Sequence, residues 1–229
     1  MMHPRDPAEP SGGREQLVSY CRRMLDDGLA IGSAGNMSVR RSGGSVLITP
    51  SGVPYLAMRP EQICEIGPDG AAISVPAAVS TETPMHLAIY AATSAGAVVH
   101  SHSPEVIALS AVLDELPAIH YAITGLGGPV RVAPYTRFGS DGLASAAVLA
   151  LRSRQAAILR NHGAVCYGRN LPEAYERALL LEWLARTYRL ARALGEPKIL
   201  TDAQLAEVTA ETRRIHYGEP PPEERETSP

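Results

Sequence analysis

Three histidines and one glutamate are the residues of this sequence whose types and spacing could do chemistry. His100 and His102 stand two apart in Ala97-Val-Val-His-Ser-His102, a stretch that reads as a short strand, so both rings point to one face. Two imidazoles on one face suit a single divalent cation. His162 lies in Asn161-His-Gly163, a tight turn between two expected strands, from which its side chain can enter the same cleft. Three ligands leave positions for water or substrate, as a catalytic metal site requires. Taken alone, a His-x-His pair also fits packing or hydrogen-bonding histidines, and spacing does not choose. His86, in an expected helix, and His120, in an expected strand, read as structural, and His3 and His216 as solvated residues near the ends.

Glu82 stands in Ser80-Thr-Glu-Thr83, just ahead of a helix opened by Pro84. A carboxylate there can serve the helix dipole alone. It can also stand beside a metal as ligand and then as acid/base. Gly32-Ser-Ala-Gly-Asn36, Thr49-Pro-Ser-Gly52 and Ser80-Thr81 offer backbone N–H and hydroxyl donors without bulk. Such loops suit a phosphate, although ordinary turns share their composition. Of 21 basic residues only Lys198 is a lysine, placed in a turn between two expected helices. A Schiff base is therefore nearly excluded, and carbonyl chemistry must rely on a metal.

The elements that must position these groups follow from periodicity. A helix carries Leu17, Cys21, Met24 and Leu25 and stops at Gly28. Strands are expected at 38–40 and 46–49 as a hairpin, and at 64–66 and 71–75 around Pro68-Asp-Gly70. Pro60 opens a short helical turn, and a helix covers 84–93. The 97–102 strand leads to a helix capped by Ser103 and reaching Leu113. Strands follow at 118–124 and 129–133, then a helix from Ser140 to Leu151, then strands at 155–159 and 164–167. Asn170 with Glu173, and Thr201 with Gln204, read as capping boxes of two last helices, reaching Leu194 and His216. Strands in antiparallel-looking pairs, broken by helices of unequal length, argue for a single three-layer α/β/α domain. Its central sheet should be largely antiparallel, not doubly wound. The expected boundaries are a disordered leader (1–12), the domain (13–217) and a mobile, acidic, Pro-rich tail (218–229).

Composition agrees with one large domain. The chain has 229 residues, 45% hydrophobic and 20% charged, which excludes a disordered, collagenous or disulfide-rich chain. Its apolar runs fall far short of a membrane span, and residues 1–11 lack the apolar core of a signal peptide. Cys21, Cys64 and Cys166 are odd in number and scattered, which reads as reduced packing residues in the cytoplasm. The net charge of −3 equals that of residues 218–229, with four Glu and one Arg, so the body is neutral and no nucleic-acid binder is expected.

The order of motifs resembles the class II aldolase/adducin family, and within it the aldolases that cleave ketose 1-phosphates. The resemblance spans roughly residues 14–217. It rests on Ser33-Ala-Gly-Asn-Met-Ser38, Leu47-Ile-Thr-Pro-Ser-Gly52, Ser80-Thr-Glu82 with His86, and Ala97-Val-Val-His-Ser-His102. Ala118-Ile-His-Tyr121, Ala133-Pro-Tyr-Thr-Arg-Phe-Gly139 and Ile158-Leu-Arg-Asn-His-Gly163 complete it. The resemblance implies zinc on His100, His102 and His162, with manganese or cobalt as substitutes. Glu82 would be a ligand at rest and the acid/base in turnover. Asn36, Ser51, Gly52, Ser80 and Thr81 would hold the substrate phosphate. Tyr121 from a neighbouring subunit would protonate the aldehyde oxygen, and Phe138 and Tyr217 would be cleft aromatics. A homotetramer of C4 symmetry with interfacial sites is implied. The implied reaction splits a 1-phosphorylated ketose, such as L-fuculose 1-phosphate, into dihydroxyacetone phosphate and an aldehyde such as lactaldehyde.

Departures bear on the branch. Val79-Ser-Thr-Glu82 replaces the family aldolases' usual Pro-Ser-Ser-Glu, and Thr83-Pro-Met-His-Leu87 is closer to the family's L-ribulose-5-phosphate 4-epimerases. Those epimerases carry Asp where this chain has Glu82 and Trp where it has Ala34. They also need an aspartate within a segment that here, at 118–124, has no carboxylate. The aldolase is therefore favoured. A 4-epimerase, a sugar-acid-phosphate decarboxylase, a methylthioribulose-phosphate dehydratase, a 5-deoxyribulose-1-phosphate aldolase and a catalytically silent scaffold of the same fold remain as alternatives.

Overall fold

The computed structural model describes residues 13–215. The leader, His216, Tyr217 and the acidic tail lie outside them. Helix α1 (Gly13–Asp26) leads to a meander of strands β1 (Asn36–Arg40), β2 (Val46–Ile48), β3 (Cys64–Ile66) and β4 (Ala72–Ser74). Then come α2 (Thr83–Ala92), β5 (Ala97–Ser101), α3 (Pro104–Ser110), β6 (Glu115–Leu116), β7 (Val130–Ala133) and α4 (Asp141–Ala150). Strands β8 (Ala156–Leu159) and β9 (Gly163–Gly168) and helices α5 (Leu171–Leu194) and α6 (Asp202–Arg214) complete the order.

The nine strands form one sheet in the order β4-β3-β2-β1-β5-β9-β8-β7-β6. Every pairing is antiparallel except β7 with β8, so the sheet is largely antiparallel, as expected. Its central strands are covered on both faces. Ala97 and Val99 of β5, Ile158 of β8 and Cys166 of β9 enter the core shared with α1, α3 and α5. Their neighbours Val98, Ala157 and Val165 enter a second core with α2 and α4. This alternation of two makes three layers, because each strand supplies both cores at once. A leucine such as Leu184 of α5, fully buried in the first core, contributes about 1.5–3 kcal/mol on burial.

Three local readings need correction. The strand expected at 118–124 is instead a stretch bent at Ile119 and His120, followed by a 3-10 turn, Tyr121–Leu126. The His120 ring accepts from the Ala122 N–H and starts that turn, which buries Ile123 and Leu126, three residues apart, on one side. Apolar residues spaced by three suit 3-10 geometry, not a strand. Ser103 occupies the α3 cap position without capping, and the helix ends at Ser110. The Glu182 carboxylate, from α5, accepts from the Glu105 and Val106 N–H groups instead. Asn170 caps α5 through the Glu173 N–H, but the Glu173 carboxylate reaches the Arg169 N–H, so the expected box is half made. The Thr201–Gln204 box is complete.

Candidate active site

Four elements meet at one end of the sheet's central strands. β5 supplies His100 and, one residue beyond its end, His102. β1 pairs with β5 so that Asn36 stands opposite His100. Glu82 sits at the N-cap position of α2, and His162 in the turn between β8 and β9. That turn is tied down from behind. Asn161 adopts a left-handed φ of 54° and donates its N–H to the Ser110 hydroxyl, while Arg160 donates to the Ser110 and Leu113 carbonyls. Gly163 follows because a Cβ there would lie 2.1 Å from the Ser101 carbonyl oxygen and 3.2 Å from the His102 ring. Gly35 meets a similar limit: its φ is +83°, and a Cβ would come within 2.6 Å of the His100 carbonyl oxygen.

The three rings stand mutually edge-on, with centroids 4.8–4.9 Å apart. Ligand atoms of Glu82, His100, His102 and His162 all lie within 4.8 Å of one another. His100 Nε2 is 2.9 Å from Glu82 Oε2 and 2.9 Å from His102 Nε2, and His162 Nε2 is 3.3 Å from Glu82 Oε1. The His100 Nδ1–H donates to the Ala164 carbonyl at 2.8 Å, which leaves Nε2 to face the cluster.

Electrostatics prepare the same groups for a cation. Burial alone would raise the Glu82 pKa, but His100, Asn36 and His162 outweigh it and hold the carboxyl well below the usual range. Burial, then the neighbouring rings, push His102 down to about 3 and His162 to about 4, so both are neutral ligands near pH 7. Burial also opposes a charge on His100, yet Glu82 and the Ala164 carbonyl raise it. Glu82 Oε1 is buried without a hydrogen-bond donor. An orphaned carboxylate oxygen beside three convergent imidazole nitrogens fits a divalent cation.

A cleft of about 330 Å³ opens above the cluster. Asn36, Ser51, Gly52, Ser80, Thr81 and Phe138 all line it with Glu82, His102 and His162, while His100 forms its buried floor. Tyr121 is elsewhere: it is half exposed, beside Val208 and Ile215 at the α6 end. Ser33, Tyr135, Thr136 and Asn161 also line the cleft. They stand within the motif stretches, where residue type and spacing alone assign them no role. The Asn36 amide donates to Glu82 Oε2 at 2.9 Å, and its Oδ1 is 2.6 Å from His86 Nε2.

A three-layer domain around a mainly antiparallel sheet, with three histidines and a carboxylate under a hydroxyl-lined cleft, is the frame of a metal-dependent, class II aldolase. The chain belongs to the class II aldolase/adducin family: residues 15–189 match the family described as Class II Aldolase and Adducin N-terminal domain. It is 37% identical over 194 residues to a 5-deoxy-D-ribulose 1-phosphate aldolase of Bacillus thuringiensis serovar kurstaki, covering 84% of this chain and 91% of that one. It is 37% identical over 198 residues to the L-fuculose phosphate aldolase of Escherichia coli, covering 84% and 90%. A solved L-fuculose 1-phosphate aldolase superposes with a TM-score of 0.85 at 31% identity, covering 90% of this chain and 98% of that one. The protein is an aldolase of the lyase class.

Proposed function

We propose that this aldolase uses zinc to split a 1-phosphorylated ketose reversibly into dihydroxyacetone phosphate and a small aldehyde. The observation that carries the reading is the Glu82 carboxylate, kept ionised by its neighbours within the histidine cluster and open to the cleft. Bound at His100, His102, His162 and Glu82, zinc would supply a Lewis acid for the substrate oxygens next to the bond that breaks. The remaining work falls to the chain. The hydroxyls of Ser51, Ser80 and Thr81 and the N–H of Gly52 hold the phosphate at the cleft wall. Glu82 takes a proton from the carbon of dihydroxyacetone phosphate in condensation and returns it in cleavage. Tyr121 of a neighbouring subunit protonates the aldehyde oxygen. Its place outside the cleft of its own chain supports a site shared between copies, in a C4 tetramer. Phe138 borders the aldehyde end. Three buried free thiols support a reducing, cytoplasmic setting.

L-fuculose 1-phosphate, which would release lactaldehyde, is the first substrate candidate, favoured by the structural match. A 5-deoxypentulose 1-phosphate, which would release acetaldehyde, is the second, favoured by the Bacillus relative at equal identity. The test is a product screen of zinc-loaded protein against ketose 1-phosphates and pentulose 5-phosphates. Release of dihydroxyacetone phosphate is expected. Interconversion of pentulose 5-phosphates without it would mean an epimerase.

A further inference from the structure

His86 reads from sequence as a structural residue, yet it lies at the middle of a buried hydrogen-bond chain that ends on Glu82. Glu82, His86 and Tyr90 are four apart and form one stripe of α2. Asn36 and Ser38 are two apart on β1 and share one face. Four helical residues rise about 6 Å and two strand residues about 6.8 Å, so the two rows mesh like a ladder. Along it Tyr90 Oη meets Ser38 Oγ at 2.8 Å, Ser38 Oγ meets His86 Nδ1 at 2.7 Å, and His86 Nε2 meets Asn36 Oδ1 at 2.6 Å. Asn36 Nδ2 then meets Glu82 Oε2 at 2.9 Å. All five residues are buried, so water does not substitute for any link.

The chemistry of the end group sets every direction. An ionised carboxylate only accepts, so the Asn36 NH2 must face Glu82. The amide then turns Oδ1 to His86, whose Nε2 must carry the proton. No carboxylate touches the ring to balance a charge, and burial, then His100, push its pKa down to about 3. The neutral ring therefore accepts at Nδ1 from the Ser38 O–H, and Ser38 accepts from the Tyr90 O–H. A reversed amide would set two acceptors against each other.

We propose that His86 is a positioning residue: its Nε2–H locks the Asn36 amide so that Asn36 holds the Glu82 carboxylate in working orientation. Through that contact Asn36 serves the carboxylate. This rests on Glu82 being the working carboxylate of the aldolase reading.

Three measurements decide it. In metal-free, 15N-labelled protein near pH 7, His86 should show the Nε2–H tautomer, with Nδ1 unprotonated. This arm is independent of any reaction. An Nδ1–H tautomer or an imidazolium there would overturn the proposal. Next, His86→Leu should lower kcat and chelator-competed zinc affinity by about 10–100-fold while KM stays near wild type. His86→Gln, whose amide N–H can replace Nε2–H, should restore most of both. A rise in KM with kcat unchanged, or no effect at all, would end the idea. Should His86→Leu fail to fold, Ser38→Ala takes its place. It frees Nδ1, should lower kcat and zinc affinity with KM unchanged, and counts against the proposal if silent. If wild type releases no dihydroxyacetone phosphate, the aldolase reading fails by itself, and the tautomer and zinc affinity still judge His86.

Discussion

Glu82 Oε2 and His100 Nε2 stand 2.9 Å apart at the buried floor of the cleft. The pair joins the N-terminus of α2 to the last turnings of β5, and each partner moves the other's titration toward charge. The carboxylate has a second, fixed support in Asn36. The floor of the site is therefore braced by protein contacts on both sides of the carboxylate.

The first prediction concerns the metal. Purified protein should hold about one zinc per chain. His102 belongs to the histidine cluster at the cleft wall and is partly exposed, so its removal costs little packing. His102→Ala should fold with a near wild-type Tm yet lose stoichiometric zinc by elemental analysis. Full metal content in that variant would move the metal elsewhere.

Phosphate binding makes the second prediction. Ser80 lines the cleft, and its hydroxyl accepts from the Glu82 N–H at 3.3 Å, which leaves the hydroxyl proton for a ligand. Ser80→Ala removes one charge-assisted hydrogen bond, worth about 1.5–3 kcal/mol. KM for a phosphorylated ketose should rise by about 10–100-fold with kcat less affected. Steady-state kinetics with equal KM in both proteins would place the phosphate away from this loop.

Acid lability of the metal-free protein is the third. His86 is fully buried with its pKa pushed from an ordinary 6.5 to about 3. Below 6.5 the unfolded chain binds a proton that the folded chain refuses, so stability falls as pH drops through that window. His102, at about 3, and His162, at about 4, act in the same direction. His100, raised, opposes them: its contribution is present below 6.5 and lost as pH climbs through its folded value. His86 alone should account for about 2 kcal/mol between pH 6.5 and 5, at about 1.4 kcal/mol per unit. Denaturant midpoints at pH 7 and pH 5 should show the loss, and His86→Gln should show a shallower dependence on pH.

The clustering of the three histidines was legible because its signals are local. His100 and His102 report one strand face, and Asn161-His-Gly163 reports a turn. The layers were legible from paired strands broken by helices, and in the fold each second residue of β5, β8 and β9 feeds a different core. What spacing hides is pairing between distant segments. His86 and Asn36 are 50 residues apart, and nothing in either stretch says that α2 packs its Glu82–His86–Tyr90 stripe on β1. The α3 cap fails for the same reason. Ser103 looks sufficient until Glu182, 77 residues from Glu105, supplies the acceptor. At 118–124 a local signal misled. A strand was expected, but the His120 ring captured the Ala122 N–H and the chain wound into a turn.

The last prediction separates the two proposed acid/base groups by where they sit. Glu82 lies in the cleft of its own chain, and Tyr121 lies outside it. Glu82→Gln keeps the shape but removes the base, so the rate should fall by about 10²–10⁴-fold. It should also abolish deuterium uptake into dihydroxyacetone phosphate in heavy water, followed by NMR. Tyr121→Phe should cripple cleavage yet largely keep that uptake, since the uptake needs no aldehyde. If the tyrosine comes from a neighbouring copy across a head-to-tail interface, the two defects complement each other. A site combining a Tyr121→Phe chain, with Glu82 intact, and a Glu82→Gln neighbour, with Tyr121 intact, is whole. Equal mixtures, dissociated and reassembled at random, should then recover up to about a quarter of wild-type activity. Mixtures that stay as inactive as their parents would place Tyr121 outside the reaction or within its own chain's site.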